Sequence, residues 1–112
     1  MYLLPFLKDG EHVVKIDKVI YDKNGKIPFL KIFFINDYGY IPHKIVINRN
    51  TYIIRKILFN SVELSEYDYY NNLEGKVLII EVEGVYYSDD LITEKFRYIV
   101  KRFKPLKESN YL

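Results

Sequence analysis

The stretch KNGKIPFLKIFFINDYGY, residues 23–40, contains a complete β-strand between two turns. In its central run, residues 29–35, the apolar Leu30, Ile32 and Phe34 alternate with Phe29, Lys31 and Phe33. This is the pattern of a strand with one buried face, here that of Leu30, Ile32 and Phe34. The pair Asn24-Gly25 favours the positive φ angles of a tight hairpin, and residues 36–39 predict a second turn. The stretch therefore predicts a strand that has one neighbouring strand before it and another after it.

Both neighbouring strands show the same alternation. The strand before the stretch is predicted over residues 13–21, and the strand after it over residues 40–47. Pro42 indicates that part of this third strand lies at a sheet edge or a bulge. The residues predicted to be buried on the first strand are Val14, Ile16 and Ile20.

One helix is predicted after the third strand. Asn48 and Thr51 are good N-cap residues, and apolar side chains then recur at helical spacing, which predicts a helix of about three turns over residues 51–60. We expect this helix to plug one end of a barrel. The residues predicted on its buried face are Ile53, Ile54, Ile57 and Leu58.

The second half of the chain predicts two further strands. Residues 61–75 are polar, acidic and rich in tyrosine, and predict a loop. Strands are predicted over residues 76–83 and 95–103, with residues 84–90 as their connection. Pro105 ends the last strand.

Three strands, one helix and two more strands, in that order, are typical of the OB-fold. We therefore predict a mainly β protein: a small five-stranded Greek-key barrel with one α-helix between strands 3 and 4. The 112 residues predict a single domain, with its core over about residues 9–105. Such barrels commonly bind single-stranded nucleic acid across strands 2 and 3.

Composition excludes several classes of site. The chain has no cysteine, which excludes disulfides, thiolate metal sites and cysteine nucleophiles. The apolar start, residues 1–7, has no basic region and is too short for a membrane span. We expect a soluble, unexported, cytoplasmic protein.

Charge is segregated along the chain. Residues 1–60 carry a net charge of +5, residues 61–94 carry −8, and residues 95–112 carry +5. This distribution predicts a basic face and an acidic face, and a basic face attracts a polyanion. Twelve tyrosines and seven phenylalanines add rings that are able to stack on bases.

The chain lacks the motifs of an enzyme. It has no glycine-rich phosphate loop and no serine in a nucleophile elbow. His12 and His43 are too few and too far apart for a metal motif, and His43 is interpreted as a core or rim residue. We predict no catalytic residue, no metal and no cofactor.

Basic side chains interleaved with aromatic rings on outward strand positions are the candidate nucleic-acid site. Rings stack bases, and Lys and Arg neutralise phosphates. The predicted binding residues are Lys15, Lys23, Lys26, Phe29, Lys31, Phe33, Tyr40, Lys44, Lys95, Arg97 and Lys101.

Two alternatives remain open. The outward Phe29 and Phe33 are also suited to cover a second small core under residues 3–7, or to form the surface of a homodimer. The acidic, tyrosine-rich stretch also suits a protein-interaction module, such as a phage-like inhibitor or adaptor that binds a basic partner. The residues assigned to that surface are Glu63, Glu66, Tyr67, Asp68, Tyr69 and Tyr70.

The chain resembles the small phage-encoded single-stranded DNA-binding proteins of OB-fold type, over roughly residues 9–105. The resemblance lies in residues 9–16, 23–25, 29–34, 51–60, 73–76 and 96–103. It implies cooperative or dimeric coating of single-stranded DNA during phage replication, recombination or repair, in the host cytoplasm and without a cofactor. The chain departs from these proteins in two places, because its end is not acidic and Asp89 and Asp90 lie between strands 4 and 5.

Overall fold

The computed structural model describes residues 8–88 and 94–106, with side chains described for residues 8–84 and 98–106. Within these ranges the chain is mainly β, with five antiparallel strands and one helix, which confirms the predicted class. The strands are β1 (Gly10–Asp22), β2 (Phe29–Asn36), β3 (Gly39–Val46), β4 (Val77–Ser88) and β5 (Glu94–Lys104). The helix is α1 (Tyr52–Ser61), and 3-10 turns occupy Arg49–Thr51 and Tyr70–Leu73. Within the described ranges, no helix is long and apolar enough to cross a membrane.

The five strands form one sheet in the order β3-β2-β1-β4-β5. The long strand β1 has two partners: its residues 10–15 pair with β4, and its residues 15–22 pair with β2. Beyond the end of the β4 pairing, the Glu74 carboxylate accepts a hydrogen bond from the Val19 N–H at 2.9 Å. Because β4 and β2 pair with different halves of β1, the sheet curls into a half-barrel.

The core lies on the inner face of this curled sheet. Leu30, Ile32 and Phe34 of β2 are fully buried, as predicted from their alternation. Leu73 is also fully buried, although it lies in the stretch predicted to be a polar loop. The core also includes Ile16 of β1, Leu58 and Phe59 of α1, and Leu78 and Ile80 of β4.

A β-bulge changes which residues of β1 are buried. Ile16 and Lys18 lie opposite adjacent residues of β2, so that Asp17 has no partner there. One extra residue reverses the alternation of a strand. Val19 therefore packs against the core, whereas Ile20 is 39% exposed, and the prediction that Ile20 is buried is wrong.

The turn before β2 differs from the prediction, and the turn after it does not. Gly25 does not have a positive φ, so the predicted tight hairpin is wrong; instead, the Asp22 carboxylate accepts the Asn24 N–H at 3.0 Å in a longer connection. The second predicted turn is confirmed. Asn36 pairs with Gly39, which has a φ of 128°.

The buried face of α1 is shifted by one position from the predicted face. Ile54 and Leu58 pack against the core as predicted, together with Phe59. Ile53 and Ile57 are 61% and 44% exposed, so their predicted burial is wrong. The helix places the large Phe59 ring in the core, and this turns Ile53 and Ile57 toward solvent.

The β4–β5 hairpin is longer than predicted. The sequence predicts a connection over residues 84–90, but residues 84–88 continue β4, whose Ser88 pairs with Glu94 of β5. The run Val85-Tyr86-Tyr87 explains this difference, because β-branched and aromatic residues favour strands. Asp89 and Asp90 lie outside the described residues.

Candidate nucleic-acid interface

The outer face of β1, β2 and β3 brings together all six predicted binding residues of these strands. On β2, Phe29, Lys31 and Phe33 point away from the core, because the residues that alternate with them are fully buried. All three side chains are half-buried. Their neighbours on the adjacent strands therefore decide how much of each ring a ligand is able to reach.

The register places basic and aromatic side chains in adjacent rows. Lys31 lies directly opposite Lys44 of β3, and Phe33 lies opposite Lys18 of β1. Residues directly opposite each other in an antiparallel pair point to the same face. In a third row, Ile35 lies between Lys15 and Tyr40. We call this surface the basic face; its members are Lys15, Lys18, Phe29, Lys31, Phe33, Tyr40 and Lys44.

Lys18 is a member of the basic face that the sequence does not predict. Alternation from the buried Ile16 places Lys18 on the inner face, but the bulge at Asp17 turns it outward. No residue type in this part of the chain signals a bulge. The sequence pattern alone therefore gives no means of finding Lys18.

Two of the lysines lie over the phenylalanine rings. The Nζ atom of Lys44 is 4.3 Å from the ring centre of Phe29, and the Nζ atom of Lys31 is 5.4 Å from that of Phe33. Exposed contacts between a cation and a ring contribute about 0.5–1 kcal/mol each. They hold the two ammonium groups over the ring faces, so a base that stacks on the same face of either ring has to displace the lysine.

The lysines of the basic face are not neutralised by nearby acids. Among the described residues, no carboxylate lies within 4.0 Å of the ammonium groups of Lys15, Lys18, Lys31 or Lys44. Like charges directly opposite each other in a sheet, such as Lys31 and Lys44, are destabilising. An anionic ligand would relieve this repulsion.

Asp17 is an acidic residue next to the basic face. The Tyr40 hydroxyl donates a hydrogen bond to Asp17 Oδ2 at 3.2 Å, and this bond raises the pKa of Tyr40. The Tyr40 ring also packs edge-on against Phe33, with 6.5 Å between ring centres. Asp17 therefore positions Tyr40, and its negative charge opposes the approach of a phosphate.

The remaining predicted residues lie in the β1–β2 connection and on β5. Lys23 and Lys26 are exposed in the connection that leads into β2. Lys95 and Arg97 lie on β5, paired with Tyr87 and Val85 of β4, and their side chains are outside the described part of the chain. Lys101 forms an ion pair with Glu83 at 3.2 Å and is not part of the basic face.

A cleft separates the edges of β3 and β5 beside the basic face. It encloses about 370 Å³ and is lined by Lys31, Pro42, His43, Lys44, Tyr98 and Ile99. The His43 ring packs edge-on against Phe103, with 5.8 Å between ring centres, and its burial lowers the pKa of His43. The interpretation of His43 as a core or rim residue is confirmed.

Within the acidic segment, residues 63–74, most polar side chains are already bonded. Glu66 accepts a hydrogen bond from the Tyr52 hydroxyl, which raises the pKa of Tyr52 to about 12, and it pairs with Lys56 at 3.8 Å. Asp68 accepts the Ser65 N–H at 2.9 Å.

The tyrosines of the acidic segment differ in exposure. Tyr70 packs against Phe59 and Tyr21, with ring centres at 5.8 and 5.0 Å, and thus serves the fold. Tyr67 and Tyr69 are 85% and 78% exposed. Of the three tyrosines assigned to a protein-binding surface, these two are the ones that a partner is able to reach.

The described residues contain no group of three or more His, Asp or Glu side chains that could hold a metal ion. Glu81 and Glu83 of β4 instead form ion pairs with Arg102 and Lys101 of β5, at 3.4 and 3.2 Å. No protein-family model and no curated protein matches this chain.

Proposed function

We propose that this protein is a non-enzymatic, largely sequence-independent single-stranded DNA-binding protein. The observation that carries the proposal is the basic face, where four lysines without a carboxylate partner among the described residues surround two phenylalanine rings. Rings stack bases at about 1–3 kcal/mol per base, without regard to sequence, and lysines neutralise phosphates. Bases in a duplex are already stacked on each other, so these rings favour a single strand.

We further propose that the curled sheet is a Greek-key barrel of OB-fold type, with α1 at one end. The strand order supports this, because β1 lies between β2 and β4. The contact between His43 of β3 and Phe103 of β5 also supports it, since these strands are the two ends of the sheet. Strands 2 and 3 of such barrels form the nucleic-acid surface, and the resemblance to phage proteins suggests a role in phage replication, recombination or repair.

The proposal is tested by a fluorescence anisotropy titration with labelled oligo-dT of about 30 nucleotides, long enough for several sites of the expected size. Duplex DNA of the same length is the control ligand. We expect a micromolar or lower dissociation constant for the single strand at low salt, weaker binding at higher salt, and a preference over the duplex. Equal affinity for the two ligands, or no binding at low salt, would overturn the proposal.

Two variants separate the contribution of the lysines from that of the rings. Lys31→Gln removes one phosphate contact, so the slope of log affinity against log salt should decrease by about 0.7. Phe33→Leu removes one ring without changing the charge, so affinity should fall at every salt concentration with an unchanged slope. The matched control is Lys56→Gln, because Lys56 lies on α1 and pairs with Glu66.

A second candidate function, a protein-interaction module, is favoured by the exposure of Tyr67 and Tyr69. Tyrosine is enriched at protein interfaces, and the negative charge of the acidic segment suits a basic partner. In this case, replacing Tyr67 and Tyr69 with Ala would abolish partner binding, and Lys31→Gln would leave it unchanged.

A further inference from the structure

We propose that the cleft between the edges of β3 and β5 is a binding pocket for one nucleobase, which the bound strand inserts between the two strand edges. The inference rests on the proposed function and deepens it, because it assigns a ligand to a cavity beside the basic face.

The lining of the cleft suits a base and its phosphate. The two aromatic residues His43 and Tyr98 line it, and Lys31 and Lys44 contribute positive charge. No Asp or Glu is part of the lining, so the cleft does not favour a cationic ligand. Glu83 of β4, which lies opposite Ile99 in the register, is paired with Lys101 at 3.2 Å.

The edges of the two strands supply the hydrogen bonds that a base requires. β3 pairs only with β2, and β5 pairs only with β4. Every second residue of an edge strand turns its backbone groups away from its partner strand, although Pro42 in the lining has a C=O and no N–H to offer. Because each base presents both donors and acceptors on its edge, such a row of backbone groups is able to bind different bases with little selectivity.

The size and position of the cleft also suit a single nucleotide. Its volume of about 370 Å³ lies at the lower end of the range for small-ligand pockets, about 300–1,000 Å³. The cleft shares Lys31, Pro42 and Lys44 with the outer face of β2 and β3. A strand stacked on Phe29 and Phe33 therefore passes the mouth of the cleft. A base inside it is unstacked from its neighbours, and only a single strand allows this without breaking base pairs.

Backbone amide NMR spectra recorded during titration with thymidine 5′-monophosphate test the pocket directly. We expect the signals of Lys44, Tyr98 and Ile99 to shift, with a dissociation constant in the millimolar range. Inorganic phosphate, the control ligand, should shift Lys44 but leave Tyr98 and Ile99 unchanged. If the nucleotide leaves Tyr98 and Ile99 unchanged as well, the cleft does not bind a base.

A variant that fills the cleft tests its contribution to strand binding. Ile99→Trp places a ring at the cleft and should weaken oligo-dT binding by about five-fold or more, the loss of roughly one stacked base. Ile53→Trp is the matched control, because Ile53 is exposed on α1 and does not line the cleft. If Ile99→Trp binds oligo-dT as tightly as the unchanged protein, the proposal is wrong.

The two measurements distinguish failure of the pocket from failure of the proposed function. Oligo-dT binding without nucleotide shifts at the cleft would refute the pocket and leave single-strand binding in place. Nucleotide shifts at the cleft without oligo-dT binding would refute single-strand binding and leave a nucleotide pocket. Because the nucleotide titration uses the unchanged protein, the test does not depend on whether Ile99→Trp folds.

Discussion

At the scale of single residues, Asp17 is one of two acids beside the basic face, the other being Asp22, which lies opposite Phe29. Asp17→Asn removes its charge and keeps an oxygen that accepts the Tyr40 hydroxyl. We expect oligo-dT to bind about three-fold more tightly at low salt, since a unit charge near a phosphate costs about 1 kcal/mol or less in water. The control is Asp37→Asn in the exposed β2–β3 turn. Unchanged affinity of Asp17→Asn would place the strand away from β1.

His43 makes the stability of the fold depend on pH. Burial lowers the pKa of His43, so the unfolded chain binds a proton more readily than the folded protein. The contribution of neutral His43 to the free energy of unfolding is therefore fully present above about pH 6.5, the usual pKa of histidine. It is lost as the pH falls toward the lowered pKa of the folded protein. We expect the Tm to fall further between pH 7 and pH 5 in the unchanged protein than in His43→Gln. Equal decreases in the Tm of the two proteins would contradict the prediction.

At the scale of elements, the start of the helical segment depends on one side chain. Asn48 Oδ1 accepts the Thr51 N–H at 3.1 Å, and the Thr51 hydroxyl oxygen accepts the Asn48 N–H at 3.2 Å. Removing an N-cap of this kind costs about 1 kcal/mol. We expect Asn48→Ala to lower the free energy of unfolding by this amount in urea denaturation. The control, Asn50→Ala, should change it by much less, because Asn50 is exposed and its side chain forms no hydrogen bond with the described residues.

The elements also show where sequence patterns are sufficient and where they fail. Strict alternation around Leu30, Ile32 and Phe34 correctly predicts β2 and its buried face. The bulge at Asp17 is not visible in the sequence, because it depends on how β1 divides its pairing between β2 and β4. The exposure of Ile53 is similarly not visible in the sequence, because the face of α1 that carries Phe59 is the one that packs on the core. Alternation therefore correctly predicts that Lys31 of β2 and Lys44 of β3 point outward. It does not predict this for Lys18, because Lys18 follows the bulge.

At the scale of the whole molecule, the cations differ in whether they have acidic partners. Lys101, Arg102 and Lys104 of β5 pair with Glu83, Glu81 and Glu11. The bond to Glu11 raises the pKa of Lys104. The lysines of the basic face have no such partners among the described residues. The cations of the sheet therefore fall into two regions: on β5 they are paired with acids, and on the basic face the lysines have no such partners among the described residues.

Two triple variants test this difference. Replacing Lys18, Lys31 and Lys44 with Gln should reduce the slope of log affinity against log salt by about 2, three contacts of about 0.7 each. Replacing Lys101, Arg102 and Lys104 with Gln changes the net charge by the same amount, from +2 to −1, and should alter the slope far less. Equal effects would mean that net charge, and not the basic face, drives binding.

The position of β3 at the end of the sheet has a consequence for solubility. An edge strand exposes backbone groups that are able to pair with a second chain, and proteins commonly protect such edges with proline and lysine. Pro42 and Lys44 on β3 are these two residue types. Lys44 thus protects the edge against aggregation and also contributes a cation to the basic face. Replacing it with an apolar residue should therefore promote aggregation at high protein concentration, whether or not DNA is present.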